Sequence, residues 1–418
     1  MDNRITDMRA LLTAVVLLAS LLTFGSPAIE SNLAFVGAKV YPSPTETPIE
    51  DATILIHDGR IVAVGPSSEV HLPKFARAVT VIDCKGLFIV PGFWNSHVHF
   101  MEKSWDDAAT ADPRLLEQHM QEMLTRWGFT SVFDVASFLA NTNALRNRVN
   151  GGEVPGPHIF TTGEPLYPKG GIPAYLGPEW NIPQAVTAED ARRMARQRLA
   201  NGADGIKVFA GAITRDGVLP MDPAIIRAAV EVAHAAGKPV FAHPSNRAGT
   251  DNALVGGADV LAHTIPMEDA FTPGELQRMK AQDVALIPTI SLFPDEERKF
   301  GGTPEDGQAV TKKAIAQLKS YFDLGGTILF GTDVGYTQLY DTTSEYEYMS
   351  QSGMTWRDIL ASLTTSPAKF FKAANTGKIA KGFDADVVVL SADPQNDPRN
   401  FAAVVWTIRG GQVLYHRK

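Results

Sequence analysis

Two hydrophobic patterns alternate along the chain, and they predict two kinds of structure. Short apolar runs separated by turn residues occupy both ends. Near the N-terminal end, residues 52–56 and 61–64 flank an Asp-Gly turn, which is the pattern of a β-hairpin. Near the C-terminal end, the same short-strand pattern covers residues 385–390, 402–408 and 410–415. Both ends are therefore predicted to be all-β and to join in one small domain.

Between these segments, short apolar runs alternate with stretches of helical period. The predicted strands are residues 88–93, 130–135, 157–162, 205–210, 239–243, 260–263, 285–290 and 327–332. The predicted helices lie near residues 113–127, 187–201, 222–236, 248–256, 274–282 and 306–323. This alternation predicts an α/β fold with a (β/α)8 barrel. A doubly wound open sheet is the alternative, weakened because no glycine-rich phosphate loop follows an early strand.

The N-terminal residues carry a separate signal. Residues 11–24 are almost wholly apolar, and small residues occupy the −3 and −1 positions of a cleavage site after Ala28. This pattern is typical of a cleaved secretory signal peptide. The apolar run is shorter than the ~20 residues of a comfortable membrane span. The preceding side chains have no net positive charge, so an uncleaved membrane anchor is the alternative. We therefore expect export to the bacterial periplasm or secretion.

These patterns divide the chain into four parts. They are a signal peptide (1–28), the N-terminal part of a β-sandwich domain (29–90), the barrel (91–375) and the C-terminal part of the sandwich (376–418). No stable membrane partner is expected once the signal peptide is removed, and a homo-oligomeric state is left open.

Composition and charge exclude several functions. The 418 residues carry 38 basic and 46 acidic side chains, a net charge of −8. An acidic chain is a poor candidate for nucleic-acid or anionic-membrane binding. The single cysteine, Cys84, permits neither an intrachain disulfide nor a thiolate metal cluster. The expected partner is a small-molecule substrate, and any metal must bind histidine or oxygen ligands.

Ligand-capable side chains occur where predicted strands end. His97 and His99 are two residues apart, so in a strand both point the same way. His243, His263 and Asp333 each end a different apolar run. The C-terminal ends of barrel strands meet at one mouth, and neutral imidazole is a good ligand for Zn²⁺. The pattern predicts a metal site, with zinc foremost and manganese, cobalt or iron as alternatives.

Lys207 lies inside an apolar predicted strand, where a charged ammonium is costly. A neutral Lys207 amine could take up carbon dioxide and become a carbamate, an anionic oxygen ligand able to bridge two divalent ions. The alternative is that Lys207 pairs with a nearby acid and is only structural.

This ligand set predicts a hydrolase without a nucleophilic side chain. A metal pair can hold a bridging hydroxide, and Asp333 is placed to move its proton to the leaving group. The sequence has no Gly-x-Ser-x-Gly motif.

Candidate substrate-binding residues lie in loops. Residues 163–186 form a long segment rich in glycine, proline and aromatics, predicted to be a packed lid that contains Tyr167 and Tyr175. Tyr336 follows Asp333. Arg215 could bind a substrate carboxylate, or it could pair with Asp216 at the surface.

Taken together, the ligand set resembles the metal site of the amidohydrolase superfamily in its carboxylated-lysine binuclear form. Further similarity to the imidazolonepropionase-related branch, which includes Xaa-Pro dipeptidase-like enzymes, lies in residues 49–66, 90–92, 202–207, 232–238, 331–333, 365–368 and 382–386. The resemblance implies a metal-bearing barrel plus a β-sandwich, and hydrolysis of a dipeptide or an N-acyl amino acid.

The chain departs from its relatives at Asn95-Ser96, before the His-x-His motif, and at residues 264–266, after His263. These departures put the transfer of a substrate from the relatives in doubt. Two alternatives are a mononuclear hydrolase of cyclic amides and, more remotely, a non-catalytic barrel stabilised by its metals.

Overall fold

The computed structural model describes residues 32–72, 79–173, 176 and 182–417. The predicted signal peptide (1–28) and Tyr175 lie outside the described residues. The strands are β1 Leu33–Val40, β2 Ile49–His57, β3 Arg60–Pro66, β4 Thr80–Asp83, β5 Phe88–Pro91, β6 Phe93–Val98, β7 Phe129–Asp134, β8 His158–Thr161, β9 Tyr167–Pro168, β10 Gln184–Ala185, β11 Ile206–Phe209, β12 Gly211–Thr214, β13 Gly217–Pro220, β14 Val240–His243, β15 Val260–Ala262, β16 Ala285–Ile287, β17 Thr327–Ile328, β18 Val387–Leu390, β19 Val404–Arg409 and β20 Gln412–His416.

The α-helices are α1 Pro113–Met123, α2 Leu139–Asn150, α3 Ala188–Ala200, α4 Pro223–Ala235, α5 Arg247–Gly256, α6 Pro273–Ala281, α7 Leu292–Lys299, α8 Pro304–Asp323, α9 Thr343–Gln351, α10 Trp356–Leu363 and α11 Thr365–Phe370. The six predicted helices are confirmed as α1, α3, α4, α5, α6 and α8. None of the described helices is long and apolar enough to span a bilayer.

Strands from both ends of the chain share one mixed sheet. Its order is β20-β19-β18-β5-β1-β2-β3, with β4 paired to β1. The predicted hairpin is the antiparallel pair β2–β3. Phe35, Ile54 and Val389 lie in the buried core of this sheet, so residues far apart in sequence depend on one another for their burial.

One predicted strand is wrong. The run 88–93 is divided: β5 pairs with β18 and β1 in the chain-end sheet, and β6 pairs with β7. The apolar run continues through the break, so hydrophobicity alone does not mark it. Gly92 lies at the break, where an added Cβ would lie 2.2 Å from Thr130 Oγ1. Only glycine allows the backbone to pass so close to β7.

Eight parallel strands lie between the chain-end segments, in two sheets. One has the order β6-β7-β8, and the other has the order β11-β14-β15-β16-β17. Backbone hydrogen bonds connect the segments that follow β8 and β17 to strands of the other sheet. Leu166 N–H donates to Lys207 O at 2.8 Å, and Asp333 N–H donates to His97 O at 2.9 Å. Sequence-distant strands therefore bring His97, Lys207 and Asp333 to one region.

A layer of apolar side chains supports this region. Phe133, Phe241 and Ile287 come from three different strands, and together with Leu329, which directly follows β17, they form one buried cluster. Phe241 is two residues before His243, so the two side chains point to the same face of β14. The ligand-capable end of the strand therefore rests on a dry, packed interior.

A buried carboxyl in the chain-end sheet gives a prediction about stability. Burial raises the pKa of Asp386 to about 7, although hydrogen bonding from Gly410 N–H and the charge of Arg409 oppose the shift. The unfolded carboxyl titrates near pH 4, so between about pH 4 and 7 the folded state alone keeps its proton. Stability contributed by this protonated carboxyl is therefore lost as pH rises through that window. A pKa difference of one unit is worth about 1.4 kcal/mol, so Asp386→Asn should exceed wild type in unfolding free energy by roughly 4 kcal/mol at pH 8 and by about 1 kcal/mol at pH 4.5.

Urea denaturation at the two pH values measures this difference. The exposed Asp83→Asn is the matched control. An Asp386→Asn advantage that is equal at both pH values would contradict the assignment. The substituted amide keeps an oxygen that can accept the hydrogen bond that Gly410 N–H donates to Asp386 Oδ1 at 2.8 Å in the wild type.

Candidate metal centre

The predicted ligands converge at the ends of the parallel strands. His97 lies in β6, His99 directly follows it, and His243 ends β14. His263 follows β15, and Asp333 lies five residues beyond β17. Each side chain is supplied by a different strand end except for the His97–His99 pair.

Asp333 is at the centre of the cluster. Its Oδ1 lies 2.6 Å from His99 Nε2 and 3.3 Å from His97 Nε2, and its Oδ2 lies 3.7 Å from His263 Nε2. Ligand atoms of His97, His99 and Asp333 all lie within 4.8 Å of one another. The His243 and His263 ring centroids are 4.8 Å apart, so the fourth histidine belongs to the same cluster.

Burial sets the charge of these groups. It lowers the pKa of His97 to about 3 and holds the pKa of His243 and His263 well below the usual range. Burial alone would raise the pKa of Asp333, but His97 and His99 hold it well below the ordinary value. Neutral imidazoles beside an ionised carboxylate are the protonation states in which these groups bind a metal.

The polar atoms of the cluster fit a metal ion. Among the residues that the structure describes, the buried His97 Nδ1 and His99 Nδ1 have no hydrogen-bond partner, and His97 Nε2 has only its 3.3 Å contact with Asp333 Oδ1. Buried polar atoms are normally paired, so unpaired nitrogens require an explanation. A divalent ion is the partner that neutral imidazole and carboxylate ligands share.

Lys207 lines the same cavity as the four histidines and Asp333. Its side chain is 2% exposed, and burial lowers its pKa to about 7, opposed by the charge of Asp333. Its Nζ lies 5.9 Å from the centre of the Phe209 ring. A substantial fraction of the amine is therefore neutral near pH 7, and the neutral amine is the form that reacts with carbon dioxide.

The backbone of the cluster is strained. Asp333 has φ 60°, His263 has φ 131° and Thr289 has φ 44°. Thr289 Oγ1 lies 2.7 Å from His263 Nδ1 and orients that ring. Such conformations cost on the order of 1–3 kcal/mol each and are found where function requires a side-chain direction.

A cavity of about 290 Å³ opens above the cluster. Its described lining is mostly apolar, including Met101, Leu176, Ile182, Phe209, Ile213, Met267, Leu292, Phe293, Phe300 and Val310. The predicted lid contributes Tyr167, which packs on Phe209 with ring centroids 4.5 Å apart. Residues 163–186 also contain regular structure, because β9 and β10 pair with each other in parallel.

The other predicted substrate residues have different positions. Tyr336 lines the cavity. Arg215 is exposed at the turn between β12 and β13 and is not among the residues that line the cavity, although Ile213 of the same hairpin is. A role for Arg215 in binding a substrate carboxylate stays a prediction.

Sequence reasoning missed Glu296, which lines the cavity from α7. Tyr336 Oη donates to Glu296 Oε1 at 2.9 Å. Burial raises the pKa of Glu296 to about 7, although this hydrogen bond opposes the shift. In the sequence, Glu296 belongs to a run of charges that is typical of a solvated helix face, so only its packing distinguishes it.

Asp134 was also missed. This buried residue ends β7 and accepts hydrogen bonds from Ser137 Oγ at 2.5 Å and Thr161 Oγ1 at 2.7 Å. Ser137 Oγ in turn accepts from Phe100 N–H at 2.7 Å. Asp134 thus holds the backbone directly after His99. Its position at a strand end, like that of Asp333, is the signal that could have found it.

The fold has parallel strands with helices between them, and a buried cluster of histidines and a carboxylate lies at the strand ends. This arrangement is typical of α/β hydrolases that use a metal ion. The sequence profile of the Amidohydrolase family matches residues 88–414, and the chain belongs to this family. Members generally use divalent metal ions and hydrolyse carbon–nitrogen bonds.

Individual relatives agree with this assignment. Ochratoxinase from Aspergillus niger is 25% identical over 414 residues, covering 88% of this chain and 83% of the relative. A solved Xaa-Pro dipeptidase has a TM-score of 0.79 at 22% identity, covering 93% of this chain and 100% of that one. Imidazolonepropionase from Rhizobium rhizogenes is 31% identical over 112 residues, 27% of this chain and 26% of that one. Such structural neighbours imply a TIM-barrel-type fold.

Proposed function

We propose that the protein is a metal-dependent hydrolase that cleaves the amide bond of a dipeptide or an N-acyl amino acid. One observation carries the proposal: three buried histidines, the partly buried His243, Lys207 and Asp333 converge beneath an apolar cavity. The names of the relatives, ochratoxinase and Xaa-Pro dipeptidase, support an amide-type substrate.

The metal-binding set would consist of His97, His99, Lys207, His243, His263 and Asp333. It would hold two divalent ions, zinc foremost, with Lys207 as a carbamate. When bound, such ions polarise a carbonyl and make water a nucleophile at neutral pH.

The protein's own groups supply the remaining chemistry. The ionised Asp333 accepts the proton of the attacking water on a carboxylate oxygen and passes it to the departing amine nitrogen. Thr289 holds the His263 ring in place. The apolar lining, including Phe209 and Phe293, excludes bulk water and strengthens the electrostatic interactions inside.

A mononuclear hydrolase of cyclic amides is the second candidate. The compact His97–His99–Asp333 group, which could hold one ion, favours it, as does the partial similarity to imidazolonepropionase. The buried Lys207 beside the cluster favours the two-ion form.

The architecture and the location of the protein are expected to be those that the sequence predicts. We expect the two parallel sheets to close into one (β/α)8 barrel (91–375) and the chain-end sheet to form a small β-sandwich (29–90 and 376–418). We also expect export after cleavage at Ala28. A small-molecule substrate is the expected partner.

A substrate panel on the zinc-loaded mature chain tests the function. Dipeptides, N-acyl amino acids and a cyclic amide are incubated with the enzyme, and amine release is measured. We expect hydrolysis of the first two groups, loss of activity with a chelator and recovery with zinc. Hydrolysis of the cyclic amide alone would select the second candidate, and no hydrolysis by metal-loaded protein would overturn the proposal.

A further inference from the structure

The cavity has an uneven distribution of charge. Apart from the metal-binding set, its described lining carries two carboxylates, Glu296 and Glu297, and no arginine or lysine. The rest is apolar or carries a neutral hydroxyl, as on Tyr336. A substrate that enters therefore meets acidic groups in an otherwise apolar space.

Glu296 is held in a defined position beside the catalytic residues. Tyr336 Oη donates to its Oε1 at 2.9 Å, and Tyr336 N–H donates to Asp333 O at 3.2 Å. The Glu296 carboxylate is thus connected through one tyrosine to the residue that would move the proton. A carboxylate offers about four acceptor positions, so this hydrogen bond leaves capacity for others.

The neighbouring basic side chains are paired elsewhere. Lys299 Nζ lies 2.8 Å from Asp295 Oδ2, and Arg298 also pairs with Asp295. Among the described residues, no basic side chain comes within the 4.0 Å ion-pair distance of Glu296. Glu296 is partly buried, and a carboxylate shielded from water without a cation in ion-pair contact is costly, so a ligand that brings a positive charge stabilises it.

We propose that Glu296, positioned by Tyr336, binds a protonated amino group of the substrate. This inference rests on the proposed function and narrows it. The preferred substrates are amides that carry a free amine and an apolar side chain, of which a dipeptide is the simplest, and N-acyl amino acids are the poorer substrates. Glu296 determines specificity and takes no part in bond cleavage.

Matched substrates test the specificity. L-leucyl-L-phenylalanine and its N-acetyl derivative differ in the amine charge. Wild type should show a kcat/KM at least about tenfold higher for the free dipeptide. Glu296→Gln should remove that preference mainly through KM, and Glu296→Asp, which keeps the charge, should retain part of it. The exposed Glu305→Gln changes net charge equally and should leave the preference intact.

A binding measurement separates this inference from the proposed function. Calorimetry compares phenethylamine with phenethyl alcohol on the zinc-loaded protein. Wild type should bind the amine about tenfold more tightly, and Glu296→Gln should bind both equally. If no amide is hydrolysed but this difference holds, the proposed function fails and the amine site stands. If dipeptide and N-acetyl derivative are hydrolysed equally and the amine shows no advantage, the inference is overturned while the function stands.

Discussion

Asp333→Asn is expected to lower kcat on a hydrolysed dipeptide by about 10²–10⁴-fold, with a smaller change in KM. The asparagine keeps the size of the side chain but cannot accept the proton. The carboxylate is ionised and lies 2.6 Å from His99 Nε2 and 3.3 Å from His97 Nε2, so no other described acid is as well placed. Steady-state kinetics on the zinc-loaded protein measure the change.

Two controls make this result specific. Asp216→Asn changes an exposed aspartate in the β12–β13 turn and should leave kcat unchanged. Metal content must be measured in parallel, because Asp333 is also a proposed ligand. Near-wild-type kcat in Asp333→Asn with full metal content would exclude Asp333 as the proton-transfer group.

Lys207→Ala is expected to cause the largest loss of metal. Wild type purified with bicarbonate should contain about two divalent ions per chain, because a carbamate bridge supplies a shared anionic ligand. Removing the lysine removes that ligand and should abolish activity. Elemental analysis of the dialysed proteins measures the content.

The exposed Lys85→Ala is the matched control and should keep the wild-type metal content. Bicarbonate should not restore metal to Lys207→Ala. One ion per chain in both wild type and variant would make Lys207 a structural residue. The mononuclear alternative would then be the better description of the site.

Much of the metal centre could be predicted because its chemistry is local. His97, His99, His243, His263 and Asp333 each occur where an apolar run ends, and parallel strand ends meet at one edge. A lysine inside an apolar run is equally visible, because burial of an uncompensated charge is rare.

The misplaced boundary at residues 88–93 has a different cause. β5 and the first residues of β6, Phe93 and Trp94, form one nearly continuous apolar run, so no change in periodicity separates the two strands. Their sheets are distinguished only by partners far away in sequence, β18 for one and β7 for the other. Helix α7 was missed because it has only eight residues and contains Pro294, which is unfavourable inside a helix.

The sequence by itself predicted six of the helices, the joining of the two chain ends and the clustering of the ligand-capable side chains, because periodicity and strand-end chemistry are properties of short segments. Only the tertiary structure decided which loop side chains face the cavity. It excludes Arg215 from the lining and brings Glu296 to Tyr336, since such placement depends on packing between elements distant in sequence. The type of reaction can therefore be predicted from short sequence segments, whereas the proposed substrate preference depends on packing between elements that are distant in sequence.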